Sequence, residues 1–286
     1  MNIARMHAVA LLVAALAGCS TTTTTTSSAG GPVVVEQRDA RSAAADSGDP
    51  ERRARVRLEL ASLYFGRGQA GTALDEVKRA LAAKPDMPEA FNLRGLIYAS
   101  QGEGPLAEES FQRALQLSPR DSDVMHNYGW FQCQQRRYPE ADALFSGALA
   151  QPQYRDITRT MLAQGVCLAR AGRWPEAERT LSRSYELDPS NPATAYNLAE
   201  VLMRRGELER ARFYVGRINA VADQASSQSL WLAARIERGL GNLSAVQDFG
   251  RQLRDRFPQS AETLQFERGQ SRVHSSNRPR ERKSVV

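Results

Sequence analysis

Side chains that often perform chemistry are scarce in this sequence. The 286-residue chain has three histidines, His7, His126 and His274. His7 lies in an apolar N-terminal segment and His274 in a basic C-terminal one, which leaves His126 for the body of the protein. One histidine excludes most metal sites and most Ser-His or Cys-His catalysis. No Walker-type GK loop that would hold phosphates occurs either.

Carboxylates are plentiful, but their surroundings point away from catalysis. Glu108 and Glu109 are adjacent, Glu207 and Glu209 are two residues apart, and arginines lie near both pairs. Carboxylates beside arginines on helices are typical of solvated faces. We therefore predict that the protein is not an enzyme and that it uses no cofactor, no metal and no small-molecule substrate.

The elements that position these residues repeat along the chain. An alanine begins a similar pattern at Ala73, Ala107, Ala141, Ala177, Ala211 and Ala245, with steps of 34, 34, 36, 34 and 34 residues. A fixed period near 34 residues is typical of stacked helix-turn-helix units. Such arrays usually present a groove to another protein and do not build a reaction centre.

Other positions recur with the alanines. A small residue lies twelve positions before each one, at Ala61, Gly95, Gly129, Gly165, Ala199 and Ala233, and a large apolar residue lies four positions after it. Small residues let two helices approach closely, and large ones fill the space to the next unit. The pattern resembles the tetratricopeptide repeat over roughly residues 54–258. The resemblance implies an all-α fold, a right-handed superhelical solenoid of about six repeats.

The prolines and glycines at the predicted helix ends and turns support the same interpretation. Pro85, Pro119 and Pro189 should end the second helices. Gly68, Gly102, Gly172 and Gly206 fall between helices, where a positive φ is needed, and Arg136 replaces the glycine in the third unit. An insert of two residues near residues 151–155 should disturb the superhelix, and the sixth unit lacks most of the signature.

Two cysteines fall in the first helices of neighbouring repeats. Cys133 and Cys167 occupy different positions within their units, and equivalent helices stack about 8–10 Å apart. A disulfide needs Cα atoms closer than about 7 Å. An oxidising compartment would permit the bond, but we expect two free, semi-buried thiols.

The N-terminal residues have the features of a targeting signal. Arg5 is followed by an apolar run that is too short to span a bilayer, and the run ends in Leu16-Ala17-Gly18-Cys19. This ending resembles the bacterial lipobox, which implies that Cys19 becomes the lipidated first residue. An ordinary signal peptide with an incidental Cys19 is the alternative. Ser20 then implies sorting to the outer membrane, with the protein anchored by lipid on the periplasmic face.

These features divide the chain into four parts. We predict a lipoprotein signal peptide at 1–18, a lipidated Cys19 with a flexible tether at 19–52, a repeat solenoid at 53–260 and a basic, disordered tail at 261–286. The formal net charge of +6 resides mostly in residues 268–286, which carry six basic residues and one acidic one. Because the remainder is nearly neutral and the protein is exported, nucleic acid is not an expected partner.

Function should lie in the groove. In the tetratricopeptide fold the first helix of each unit lines the concave surface, and the resemblance transfers its inward positions to this chain. The predicted groove residues are Leu58, Phe65, Asn92, Leu96, His126, Trp130, Leu162, Val166 and Tyr196. These are mostly apolar, and the Lys and Asn clamp for acidic chaperone tails is absent. Trp130 either anchors a partner or packs between repeats.

Lipobox, tether and six repeats together resemble the type IV pilus biogenesis lipoproteins of the PilF/PilW family. The most family-like segment is His126-Asn127-Tyr128-Gly129-Trp130-Phe131-Gln132-Cys133. The resemblance implies a pilotin, which binds secretin subunits in its groove and promotes their localisation and multimerisation. The alternative is a periplasmic adaptor for cell-wall enzymes or another envelope machine.

Overall fold

The structure is a computed structural model that describes residues 49–276, with side chains for residues 49–269. The predicted signal peptide, Cys19, nearly all of the tether and residues 277–286 lie outside the described residues. The described part is entirely helical. Its helices are α1 (Pro50–Gly66), α2 (Ala70–Ala83), α3 (Pro88–Ser100), α4 (Gly104–Leu117), α5 (Ser122–Gln134), α6 (Tyr138–Leu149), α7 (Ile157–Arg170), α8 (Trp174–Leu187), α9 (Pro192–Arg204), α10 (Leu208–Asn219), α11 (Ser227–Gly239), α12 (Leu243–Arg256) and α13 (Ala261–Ser276).

The first twelve helices form six helix pairs, and successive first helices contact one another. This confirms the predicted all-α solenoid of six repeats. Prolines in the first turn and side-chain caps fix where helices begin. Asp121, for example, accepts hydrogen bonds from the backbone N–H groups of Asp123 and Val124 at the start of α5. Helices α2, α4 and α8 end two residues before a proline, as the sequence predicts.

The turns within pairs also follow the prediction. Gly68, Gly102, Gly172 and Gly206 all have positive φ, and Arg136 adopts the same conformation with a φ of 61°. A side chain costs energy in this region, so the position is fixed by the closure of the turn and not by local preference.

Close packing inside each pair depends on the small residues. A Cβ atom added at Gly95 would lie 2.8 Å from the Phe111 ring, and one added at Gly165 would lie 2.5 Å from Leu181. Both distances are shorter than any ordinary carbon contact. These glycines therefore set the distance between the two helices of their units.

The sixth unit keeps the repeat in a shifted register. Ala245 is half-buried, whereas Val246, Gly250 and Leu253 are buried at the same relative spacing as the signature residues of earlier units. The last step is therefore 35 residues, not 34. The positive-φ Gly241 also follows Gly206 by 35 residues, in agreement with the shift.

The predicted domain boundaries need correction at both ends. Helix α1 begins at Pro50, capped by Asp49, before the expected start at residue 53. Helix α13 occupies residues that we expected to belong to a disordered tail, and its Phe266 is completely buried. The Phe266 ring fills the space above Gly250, where an added Cβ would lie 2.2 Å away. The first part of α13, residues 261–269, thus closes the exposed end of the solenoid.

The expectation of free thiols is wrong, because Cys133 and Cys167 form a disulfide with a Cα–Cα distance of 5.8 Å. The expectation compared the distance between helix axes with a limit that applies to the distance between Cα atoms. Each Cα lies about 2.3 Å from its own helix axis, so Cα atoms on facing sides are several ångströms closer than the axes. The bond joins α5 to α7 across two repeats.

Candidate partner-binding groove

The predicted groove residues fall on the first helices of the first five pairs, in α1, α3, α5, α7 and α9. Eight of the nine are half-buried, with part of each side chain accessible. Leu58 and Phe65 pack against the core of the first two repeats, and Leu162 and Tyr196 pack against the core of the fourth to sixth. These side chains are partly structural and partly open to a ligand.

His126 departs from this pattern, since it is only 8% exposed. Its Nδ1 atom lies 2.8 Å from Oγ1 of Thr160, and the Tyr154 hydroxyl lies 2.6 Å from the same oxygen. Burial, followed by the positive charge of Arg159, lowers the pKa of His126 to about 4, although Asp156 opposes the shift. The ring is therefore neutral at pH 7 and joins the third repeat to the fourth.

A cavity of about 190 Å³ opens between α3 and α5. Its walls include Leu96, Phe111, Trp130 and Phe131, with Asn127 at a polar side. Phe111 and Phe131 are buried, so Leu96 and Trp130 are the more accessible apolar walls, and the cavity suits a large apolar side chain. Two of its lining residues, Leu96 and Trp130, belong to the groove residues that the sequence predicts.

Trp130 contributes both to this cavity and to packing between repeats. The indole contacts the buried cluster that contains Cys133 and Phe145. On its other side, the guanidinium carbon of Arg170 lies 5.0 Å from the indole ring centroid. Such cation–π contact holds the ring in place. The two roles proposed for Trp130 are thus compatible in this geometry.

A polar link crosses the groove floor beside the cavity. The Asn127 amide donates a hydrogen bond of 3.2 Å to Oδ1 of Asn92, which joins α5 to α3. Each amide keeps further donors or acceptors for a ligand. At the far end, burial and then the negative charge of Glu200 raise the pKa of Tyr196, while Arg235 opposes the shift.

The interpretation of the carboxylates as solvated residues missed several contacts that join neighbouring repeats. Glu108 accepts hydrogen bonds of 2.8 and 2.9 Å from Arg137 of the next repeat, and one of 3.1 Å from the Tyr128 hydroxyl. The bonds from Arg137 are the largest cause of the lowered pKa of Glu108, partly offset by burial. These groups bind repeats together.

The same link recurs along the solenoid. Asp142 accepts a bond of 2.6 Å from Arg173, and Glu178 pairs with Arg205 of the following repeat. In each case the carboxylate directly follows the signature alanine. Arg137 and Arg173 directly precede the next second helix, whereas Arg205 follows the last residue of α9. The recurring carboxylate after the alanine is the sequence signal for these contacts.

The turn between α1 and α2 carries a glycine pattern. Gly66, Gly68 and Gly71 have the spacing of a dinucleotide-binding loop. That loop requires a preceding strand and a following helix in a βαβ unit, whereas Gly66 ends α1, Gly68 lies in the turn and Gly71 lies in the first turn of α2. The spacing therefore reflects the helix turn.

Other kinds of site find no support in the described residues. Across residues 49–276, no group of three His, Cys, Asp or Glu side chains is arranged to hold a metal ion. In the same part of the chain, no helix combines the length and the apolar character needed to cross a membrane.

Comparisons with known proteins agree with the fold. A tetratricopeptide repeat model matches residues 58–122 and 129–192, and two further models of this repeat match 168–236 and 110–143. The chain is therefore a tetratricopeptide repeat protein.

More specific relatives are type IV pilus proteins. The type IV pilus assembly protein PilF of Pseudomonas aeruginosa is 26% identical over 219 residues, which cover 77% of this chain and 86% of PilF. The crystal structure of PilW, described as a widely conserved type IV pilus biogenesis factor, is 30% identical, with a TM-score of 0.70 over 74% of this chain and 97% of PilW. A solved structure of Pseudomonas aeruginosa PilF gives a TM-score of 0.67 at 24% identity, covering 77% and 99% of the two chains. This chain belongs to the PilF/PilW family of type IV pilus biogenesis proteins.

Proposed function

We propose that this protein is a pilotin: an outer-membrane lipoprotein that binds secretin subunits in its groove and promotes their localisation and multimerisation during type IV pilus biogenesis. The observation that carries the proposal is the apolar cavity beside Trp130, on the concave helices of a PilF/PilW family member. An accessible aromatic cavity is a suitable anchor site for a partner protein.

The proposed mechanism is tethered chaperoning. Lipid attached to Cys19 would hold the protein at the periplasmic face of the outer membrane, where several acyl chains give stable anchoring. The groove would cover an apolar segment of a secretin subunit until the ring forms. Tethering raises the effective concentration of captured subunits at the membrane. The role is that of a non-catalytic scaffold.

The test is the fractionation of secretin multimers from cells with and without the gene. We expect heat-resistant multimers to be lost from the outer membrane of cells that lack the protein. Normal multimers in the normal fraction would contradict the proposal and favour a cell-wall enzyme or another envelope machine as partner.

Variants of groove residues then test whether the secretin subunit binds at the cavity. Trp130→Ala and Leu96→Glu should reduce secretin capture and multimer yield, because the first enlarges and the second charges the cavity. Phe213→Ala is a matched control, since Phe213 is 57% exposed on the second helix α10 and contacts only Tyr214 among the aromatic rings. Equal capture by both groove variants and the wild type would exclude the cavity.

A further inference from the structure

A row of arginines follows the groove beyond the cavity. Arg170, Arg204 and Arg238 lie in the last turns of α7, α9 and α11, each five residues after the small residue of its unit. Arg170 and Arg204 are the last residues of α7 and α9 and occupy equivalent positions. Arg238, in the last turn of α11, lies in the repeat whose register is shifted by one residue, where it corresponds to Met203 of α9. The three earlier repeats have uncharged Gly66, Ser100 and Gln134 there. The positive charge is confined to the C-terminal half of the groove.

These three arginines are exposed, and they make no ion pair with any side chain among residues 49–269. About half of the other described arginines form ion pairs; Arg183 of α8 pairs with Glu186, for example, and Arg212 of α10 pairs with Glu237. An unpaired guanidinium keeps all its donors available for a carboxylate. The row is thus a set of exposed guanidinium groups that can each bind a carboxylate.

The row is continuous with the apolar cavity. Arg170 lies over the ring of Trp130, which forms part of the cavity wall. Glu200 is the nearest carboxylate along α9, one turn before Arg204, and the two form no ion pair within the described part of the chain. A ligand that fills the cavity would therefore run onto Arg170 and then onto Arg204.

We propose that the groove binds an extended, acidic segment of its partner, with one large apolar side chain in the Trp130 cavity and carboxylates on Arg170, Arg204 and Arg238. Neighbouring helices lie about 8–10 Å apart, and an extended chain in the polyproline II conformation advances about 3.1 Å per residue with about three residues per turn. Carboxylates three residues apart therefore share one face and match the spacing of the helices. The inference rests on the proposed function, in which the partner is a secretin subunit, and adds the chemistry of the bound segment.

The first test uses the detergent-solubilised full chain and three fluorescent synthetic peptides. Each has one phenylalanine followed, at every third position, by three glutamates, three glutamines or three lysines. Fluorescence anisotropy should show the glutamate peptide binding at least about tenfold more tightly than the glutamine peptide, with the difference decreasing as salt is added. Equal affinities for the glutamate and glutamine peptides would overturn the inference.

Charge reversal makes the test specific to the groove. The double variant Arg170→Glu with Arg204→Glu should no longer bind the glutamate peptide, and it should bind the lysine peptide instead. The matched control is Arg179→Glu with Arg217→Glu, because these arginines are exposed on the second helices α8 and α10 and form no ion pair among the described residues. Equal loss of glutamate-peptide binding in the two variants would show that the effect comes from net charge alone, and it would contradict the proposed site. Should charge reversal unfold the chain by circular dichroism, Arg170→Gln with Arg204→Gln replaces it.

The cellular readout separates this inference from the proposed function. If multimers require the gene but form normally with the groove double variant, the pilotin role stands and the acidic segment is excluded. If multimers form without the gene while the peptides still discriminate by charge, the secretin is excluded as partner and the chemistry of the groove stands.

Discussion

Cys133 and Cys167 form a covalent link between α5 and α7, with their Cα atoms 5.8 Å apart. Trp130 lies three residues before the first cysteine, and Arg170 lies three residues after the second. The disulfide therefore joins the two helices whose side chains make the cation–π contact at the cavity wall. This one bond therefore affects both the stability of the α5–α7 junction and the shape of the cavity.

Removal of the disulfide should destabilise the solenoid. Its sequence separation is 34 residues, and closing a loop of that size lowers the entropy of the unfolded chain by an amount worth about 3–4 kcal/mol. Cys133→Ala with Cys167→Ala should lower the free energy of unfolding in urea by about this amount. Dithiothreitol should destabilise the wild type similarly and leave the double variant unchanged. Equal stability of the two proteins without reductant would contradict the prediction.

The burial of His126 predicts a pH dependence of stability. Its pKa is lowered to about 4 in the folded protein, from an ordinary value of 6.5. The unfolded chain therefore binds more protons than the folded one between these values, and stability falls as pH decreases from about 6.5 to 4. The loss should reach about 3 kcal/mol at the lower limit. Urea unfolding at pH 7, 5.5 and 4 measures it.

Two variants assign that pH dependence. His126→Asn should flatten the part of the profile that this group causes, because asparagine does not titrate. Thr160→Val removes the partner of Nδ1 but keeps the burial, so stability should fall at every pH with the slope retained. A slope that survives in His126→Asn would assign the dependence to other groups, such as the carboxylate of Glu108.

Two glycines should respond oppositely to the same substitution. A methyl group at Gly165 would lie 2.5 Å from Leu181, so Gly165→Ala should cost about 1–3 kcal/mol of stability. Gly216 lies inside α10 with no atom within 4 Å of an added Cβ, so Gly216→Ala should stabilise by up to about 1 kcal/mol. Thermal unfolding of both variants compares them directly. A neutral Gly165→Ala would show that the helix pair adjusts its spacing freely.

The C-terminal helix should be required for stability. Phe266 is completely buried, and its ring centroid lies 6.2 Å from that of Trp231. Phe266→Ala should destabilise the chain by about 3–5 kcal/mol, and Leu264→Ala, at a position 46% exposed on the same helix, should have little effect. Hydrogen exchange should show the loss of protection first in α11 and α12. Unchanged protection there would mean that α13 does not close the solenoid.

Much of the fold was predictable because its determinants are local or periodic. A helix pair needs a small residue at its closest approach and a positive-φ residue in its turn, and both requirements recur at fixed spacing in the sequence. Even Arg136 was identified as the residue that takes the place of a glycine, and its φ of 61° agrees. The groove positions of Leu96 and Trp130 are those that the resemblance to the tetratricopeptide fold implies, and both side chains are half-buried.

The sequence by itself therefore determined the helix pairs, their number and the helices that form the groove. Tertiary structure decided what depends on residues of different repeats meeting each other. The Cys133–Cys167 bond, the buried His126 and the Glu108–Arg137 pair all join neighbouring units. A repeat period specifies the content of each unit, but side chains across a junction meet only after stacking fixes the offset between units. The burial of Phe266 has the same cause, because its surroundings are supplied entirely by other helices.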